Sequence, residues 1–596
     1  MRSASVSFFL LVLVLPFEYA VASQPEPVRY TENREACADR NLNGNLYFGD
    51  LHVHTSFSWD AWQRGLRLEP ADAYRFARGE AVMLGERSVQ LSRPLDFAAV
   101  TDHSEFLGET QICGDPRSSA YGSPYCRIFR HPTIGVVGVA LSALPIPFRP
   151  PACFTDGRAC RDASQDTWIR TQQAAEDYYD RTDCRFTTFV GYEYTAATYG
   201  QTLHRNVLFR NDQVPAAPTS YFEAPKPNQL WKRLKNECID AGTGCEVIAI
   251  PHNSNQSGGG MFGATGRFLL RDERAYEDAK LRSEIERLME IYQTKGASEC
   301  NDLFSADELC KFELLPIKPC RKDGEGLGIV CADRMDYVRE VLAAGLVEFE
   351  RLGVNPYELG VIASTDTHNA TPGLVEESEF IGHKRLEQID PLERLQTPYF
   401  GSGGLAAVWS VENSRDALFE ALYRRETYAT SGPRIPVRFF GGWDFGSSAC
   451  EDSDMIENAY ESGVPMGGRL PETSAVETAQ PKFLVWATQD QTPLERVQIV
   501  KVWPDEDRER RESVIDVAVA VDEASGQAEL CAVWEDSEFD PSRPAAYYAR
   551  VLQIPTPRWS DIACDELGDE EVKPLICAAR FEGRERAWTS AIWYGL

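Results

Sequence analysis

At 596 residues the chain is too long for one ordinary compact domain and fits one large unit followed by a smaller one. Its 61 lysines and arginines against 91 aspartates and glutamates leave a net charge of -30, a surface that repels polyanions and so excludes nucleic acid and anionic membranes as partners unless metal inverts the field locally. Sixteen cysteines, none in a C-x-x-C pair, exclude a zinc knuckle and fit disulfides formed in an oxidising compartment.

In chain order, Met1-Arg2, the apolar run Val6 to Pro16 and the small residues Ala20 to Ala22 read as a signal peptide over residues 1–22, with export to the periplasm or the medium. The apolar run is shorter than the roughly 20 residues of a membrane-spanning helix, so no stable membrane anchor is expected. From Leu46 to Arg434, short apolar runs alternate with helical patterns, the mark of a parallel α/β unit, here residues 23–434. Helices are expected over Pro70 to Glu80, Glu277 to Met289, Arg334 to Leu352 and Ser414 to Arg425, where apolar residues recur at three and four positions. Gly108 to Asp166 and Cys300 to Cys331 break this rhythm as cysteine-stapled excursions. Cys153 with Cys160, Cys238 with Cys245, Cys300 with Cys310 and Cys320 with Cys331 lie close enough to close small loops. Beyond Arg434 the pattern changes to period-two runs such as Lys482-Phe-Leu-Val-Trp-Ala-Thr, and residues 435–596 read as a β-sandwich-like domain without histidine.

Six of the eight histidines sit at or near the ends of strand-like runs. They are His52 and His54 after Phe48-Gly-Asp-Leu, His103 after Phe97-Ala-Ala-Val-Thr-Asp, His204, His252 after Val247-Ile-Ala-Ile-Pro, and His368 after Gly360-Val-Ile-Ala-Ser-Thr-Asp366-Thr. Strand residues i and i+2 share a face, so His52 with His54, and Asp366 with His368, reach one ion or two adjacent ions. Parallel strands bring such ends together at one face of a barrel. With Asp60, Glu193 and Asp366 as carboxylates, this donor set suits two or three divalent ions of zinc, manganese or iron. Glu290, in Leu288-Met-Glu-Ile-Tyr-Gln, ends another plausible strand and fits an outer partner to the ligands or a buried ion pair. Asp102 beside His103 is a candidate to orient an imidazole or carry a proton, and Arg64, Arg205 and Lys295 are candidate rim cations. Asn253 to Gly263 has the composition of a mobile cover or a plain connector. Trp59 and Trp62 fit a pocket wall or packing. No Gly-x-Ser-x-Gly elbow accompanies the histidines, which argues against a serine hydrolase.

His52-Val-His54-Thr with Asp60 following, Thr101-Asp102-His103, Gly191-Tyr-Glu193, Ile250-Pro-His252 and Asp366-Thr-His368 resemble the successive motifs of the PHP superfamily, named for polymerase and histidinol phosphatase. Within it, the whole mature chain is similar to secreted bacterial proteins catalogued as domain of unknown function 3604, a likeness that continues through Arg425-Glu-Thr-Tyr-Ala-Thr-Ser-Gly-Pro-Arg434 and Arg586-Ala-Trp-Thr-Ser-Ala-Ile-Trp-Tyr. The resemblance implies a distorted seven-stranded PHP-like (β/α) barrel. One ion would be held by His52, His54, Glu193 and Asp366, and a second by Glu193, His204 and His252. A third would take Asp60, His103 and His368, although the family often has histidine where Asp60 stands. It implies a metal-dependent hydrolase, foremost a phosphoesterase acting on a small-molecule phosphate ester. Two ions about 3.5–4 Å apart would activate a water between them, and a rim cation would complete the clamp on phosphate. The alternatives are an amidohydrolase or esterase using the same ions, and a non-catalytic binding protein with a closed ligand set.

Overall fold

Runs such as Val247–Pro251 and Leu405–Ser410 are buried along their whole length, as expected of strands covered on both faces. The computed structural model describes residues 28–131, 158–197, 201–263, 272–320, 331–472, 480–567, 577 and 584–596. The signal-peptide segment 1–22 and Cys153 fall outside the described residues.

The fold is mixed α/β, with a twelve-stranded sheet, sheets of three and four strands, a two-stranded ribbon and helices packed against them. In the large sheet Asn45–Asp50 pairs in parallel with Phe97–Ala99, and Phe97–Ala99 in parallel with Thr187–Ala196. Leu203–Phe209 and Val247–Pro251 follow antiparallel. Leu288–Gln293 pairs in parallel with Gly360–Ala363 in the three-stranded sheet. Backbone pairing thus divides the seven strands expected in a barrel between two sheets, with a parallel bridge from Val53 to Thr367 joining them. Their side chains nevertheless share one core, to which Tyr47, Phe97, Phe189, Leu208, Ile248, Leu288 and Ile362 each bring one strand. Leu418 and Leu422 of helix Arg415–Arg424 complete that core.

The expected helices form with shifted ends. Pro70–Ala77 stops short of Glu80, where Gly79 takes a positive φ of 84°. The pattern read as a helix over Glu277 to Met289 is instead helix Asp272–Ile285 followed by a strand from Leu288. All six residues of Leu288–Gln293 are buried, and pairing with Gly360–Ala363 overrides the helical spacing that reaches Leu288 and Met289. Val338–Leu352 ends at Gly353, whose φ of 72° suits a helix C-terminus.

Seven disulfides link described residues. Cys238–Cys245, Cys300–Cys310 and Cys320–Cys331 close the short loops expected; Cys37–Cys184, Cys113–Cys126, Cys450–Cys531 and Cys564–Cys577 are further pairs. No helix among the described residues is long and apolar enough to cross a membrane.

Arg434 lies between strand Thr427–Thr430 of the large sheet and Val437–Gly442 of the four-stranded one. Arg586–Thr589 inserts between Thr427–Thr430 and Ala545–Gln553, so the large sheet runs on to Leu494–Pro504 and Arg510–Val519. Phe483 of the four-stranded sheet lies 4.3 Å, ring to ring, from Tyr547 of the large one. Buried Glu299 joins helix Val338–Leu352 to this part of the large sheet. It accepts hydrogen bonds from Arg339 (2.6 Å), Tyr548 (2.6 Å), Trp588 (2.7 Å) and Arg550 (2.9 Å).

Candidate metal centre

The strand ends converge as the sequence expects. His52 and His54 follow Asn45–Asp50, His103 follows Phe97–Ala99, His252 follows Val247–Pro251, and Asp366 and His368 follow Gly360–Ala363, while Glu193 lies within Thr187–Ala196. Leu203–Phe209 runs antiparallel to its neighbours, which brings its early residue His204 to the same end. Two buried carboxylates lash the turns that carry these side chains. Asp50 accepts from Thr365 Oγ1 (2.6 Å), Gly373 N (2.9 Å) and His52 N (3.2 Å); burial pushes its carboxyl up to about 6 against these bonds. Asp102 accepts from Thr55 N and Oγ1 (both 2.6 Å) and from Ser58 N (3.2 Å). Asp366 and Asn253 hold left-handed φ angles of 55° and 54°, strain that persists where neighbours over-determine the backbone.

Five imidazoles are oriented alike, with Nδ1 engaged and Nε2 turned to a common space. Nδ1 of His52 lies 2.9 Å from Glu290 Oε2, that of His54 2.9 Å from Ser58 Oγ, and that of His103 2.5 Å from Thr195 Oγ1. Nδ1 of His252 lies 3.1 Å from Asn253 Oδ1 and that of His368 3.0 Å from the Asp366 carbonyl. His52 Nε2 then lies 3.3 Å from Asp366 Oδ1 and 3.5 Å from Glu193 Oε2, and His54 Nε2 lies 3.3 and 3.2 Å from the same two atoms. Glu193 Oε1 is 2.8 Å from His204 Nδ1 and 3.3 Å from His252 Nε2. Asp60 sits between His103 Nε2 (3.3 Å) and His368 Nε2 (2.9 Å). The nine residues expected as ligands therefore lie close together, in overlapping groups that also bring His54 to His103 and His368, and Glu290 to His52 and His252.

The donor set fits divalent ions. Nε2 of His52, His54 and His252, Oε2 of Glu193 and Oδ1 of Asp366 are buried without a hydrogen-bond partner, and each such orphan costs about 1–3 kcal/mol unless something else satisfies it. Ligands about 2.0–2.1 Å from a tetrahedral ion stand about 3.3 Å apart, the separation seen here. Burial opposes ionisation of Glu193, but His103, His252 and His204 hold its carboxyl well below the usual range. Lys295, Lys384 and His52 do the same for Asp366. Both are thus carboxylates, the form that ligates.

The remaining candidates divide. Glu290 is the outer partner of His52, an arrangement that fixes a ligating tautomer. Lys295 meets Asp366 Oδ2 and, at 3.2 Å, Asn253 Oδ1. Arg64, with its side chain 40% exposed, stands at the rim 3.6 Å from Asp60 Oδ2. The reading of Asp102 as a proton carrier or imidazole partner is corrected, because its oxygens are taken up by the Thr55–Ser58 turn while His103 Nδ1 faces Thr195. Arg205 is corrected as well. Side chains alternate along a strand, so Arg205 faces away from His204 into the core, where its Nε is 2.8 Å from Glu286. Changing Arg205 to methionine should lower stability to urea by about 3 kcal/mol, the penalty of breaking a buried pair, and leave metal content by plasma mass spectrometry unchanged.

Trp59 lies beside the site, 6.2 Å ring to ring from His103, whereas Trp62 packs on Phe129. Asn253 to Gly263 is not a free cover along its length, since Asp336 accepts from Ser257 Oγ (2.6 Å) and Gly259 N (2.7 Å) and its carbonyl from Ser254 Oγ (2.7 Å). Sequence reasoning missed Lys384, whose Nζ lies 2.9 Å from Asp366 Oδ2, and Gln293, which donates to the same oxygen at 2.9 Å.

Strand ends that collect imidazoles and carboxylates into one buried cluster define this as a mixed α/β protein with a candidate multinuclear metal centre. The family model described as protein of unknown function (DUF3604) matches residues 41–525 and 519–595, and the chain belongs to that family. Among solved structures it is similar to a two-domain protein containing a predicted PHP-like metal-dependent phosphoesterase from Bacteroides vulgatus ATCC 8482. The identity is 11%, over 88% of this chain and 95% of that chain, with a TM-score of 0.31. Comparison with curated proteins gives no match.

Proposed function

We propose that the chain is an exported, multinuclear metal-dependent hydrolase, and a phosphoesterase in particular, built on a distorted PHP-like barrel. The observation that carries the metal reading is the set of buried, partnerless donor atoms facing one another at the strand ends. The reaction class rests on the resemblance of the His-x-His, Asp-His, Glu193, Pro-His and Asp-x-His motifs to those of the PHP superfamily. The seven disulfides support export.

His52, His54, Glu193 and Asp366 would hold one ion, Glu193, His204 and His252 a second, and Asp60, His103 and His368 a third. Divalent zinc, manganese or iron would supply Lewis acidity and an acidified water when bound. Glu290, Ser58, Thr195 and Asn253 fix the imidazoles with Nε2 inward, and Asp50 and Asp102 hold the turns beneath them, so the centre is preorganised. Exposure grades from Arg64 at 40% through Lys295 at 22% and His204 at 18% to His52 at zero. A substrate would enter from the Arg64 and Lys295 side, as an open rather than a closed ligand set requires.

The test is metal content by plasma mass spectrometry on the purified protein, with hydrolysis of p-nitrophenyl phosphate mono- and diesters, amides and carboxylic esters, each against His52→Ala. Two or more ions per chain and metal-dependent phosphate release, both lost in His52→Ala, are expected. Turnover of amides or carboxylic esters alone would move the reading to an amidohydrolase or esterase. Metal without any turnover would leave a binding protein, and absence of metal would overturn the proposal.

A further inference from the structure

We propose that Lys384, Lys295 and Arg64 form a cationic clamp at the rim of the metal centre that selects a terminal, dianionic phosphate, so that the substrates are phosphate monoesters rather than diesters. The substrate class rests on the phosphoesterase reading above; the clamp itself rests on the geometry of the three cations.

Both lysine ammonium groups meet the same atom, Asp366 Oδ2, with Lys384 at 2.9 Å. The other oxygen of Asp366 faces His52 and His54. One carboxylate oxygen is thus shared by two lysine side chains. The Lys384 ammonium has three N–H groups and, among the described residues, one hydrogen-bond acceptor, although the residue is 8% exposed. The ammonium thus carries donors beyond its bond to Asp366. Arg64 extends the cationic strip outward, donating to the Lys384 carbonyl at 3.2 Å and standing 3.6 Å from Asp60. In a chain of net charge -30, these three basic side chains stand together along one rim, against Asp366 and Asp60.

The chemistry of the strip matches a monoester. A phosphate monoester carries close to two negative charges near neutral pH and three free oxygens, whereas a diester carries one charge and two free oxygens. A lysine ammonium is a compact, strongly hydrated charge that binds a single phosphate oxygen well. Pressed against these lysines, the second ester group of a diester would strip water from an ammonium without returning an oxygen.

The experiment uses the metal-loaded full chain, its Lys384→Gln, Lys295→Gln and Lys384→Arg variants, and metal content as a control. Binding of inorganic phosphate is measured by calorimetry, and kcat and KM are measured for p-nitrophenyl phosphate and bis(p-nitrophenyl) phosphate. Wild type is expected to bind phosphate and to favour the monoester in kcat/KM. Lys384→Gln should weaken phosphate binding and raise the monoester KM by about 10- to 100-fold at full metal content, the range for deleting a hydrogen bond to a charged group, with partial rescue in Lys384→Arg. Should Lys384→Gln lose metal, Lys295→Gln carries the same comparison. Preference for the diester, or phosphate binding unchanged in both glutamine variants, would overturn the clamp. Lysine-dependent phosphate binding without hydrolysis of either ester would uphold the clamp and overturn the phosphoesterase reading, while lysine-independent diester hydrolysis would do the reverse.

Discussion

Glu193→Gln removes at least one divalent ion per chain and lowers p-nitrophenyl phosphate hydrolysis by more than about 100-fold, as read by plasma mass spectrometry and initial rates. The side chain stands at the middle of the cluster, between 2.8 and 3.5 Å from ring nitrogens of His204, His54, His252, His103 and His52. Loss of a group that merely orients a ligand typically weakens metal binding by 10- to 100-fold, and Glu193 would contribute both of its own oxygens directly. Glutamine keeps the shape but replaces one anionic oxygen by an NH2, a donor with no lone pair to offer a metal ion. Folding of the variant is checked by circular dichroism. Full metal content with turnover within threefold of wild type would show that Glu193 is not a bridge.

Glu299→Gln lowers the unfolding free energy by about 3–5 kcal/mol at neutral pH, measured by urea denaturation, because Arg339 and Arg550 lose a fully buried counter-charge. Asp307 still contacts both guanidinium groups, at 2.6 and 2.8 Å, which places the effect within that range rather than above it. The pH dependence has a definite sign. Burial works against the charged form, yet Arg550, Arg339 and Arg586 hold the Glu299 carboxyl far below its ordinary value of 4.5. A depressed folded-state pKa means that the contribution is complete above about pH 4.5 and is lost as pH falls toward the folded value. The gap between wild type and Glu299→Gln is therefore constant from pH 8 to 5 and narrows below pH 4.5. A gap that widened on acidification would contradict the ionised hub.

The candidate metal site was legible because its members announce themselves locally. His52 with His54 and Asp366 with His368 combine period-two spacing with apolar strands, so position along the chain and direction of the side chain are both written in a few residues. Arg205 shows where that logic stops. Adjacency to His204 said that it was near, but one step along a strand reverses the face, and its partner Glu286 lies 81 residues away. Lys384 had no signal of its own, since Phe380-Ile-Gly-His-Lys384 has neither helical nor strand periodicity and reaches Asp366 through the fold alone. The helical pattern over Glu277 to Met289 runs two residues into strand Leu288–Gln293 because Leu288 and Met289 satisfy either period, and only the parallel partner decides where the strand begins. The large sheet running past Arg434 was equally hidden, since pairing of Tyr428 with Thr589 joins residues 161 positions apart, beyond any local pattern.

That pairing sets an order of events during synthesis. Strand Arg586–Thr589 is the link between Thr427–Thr430 and Ala545–Gln553, and Ser590 Oγ accepts from Val361 N in the strand leading to Asp366. As the chain emerges, the strand leading to Asp366 lacks this neighbour until Arg586–Ser590 has been made. A sheet closed by partners so far apart in sequence loses chain entropy before those contacts form, which makes its assembly slow and exposed to aggregation.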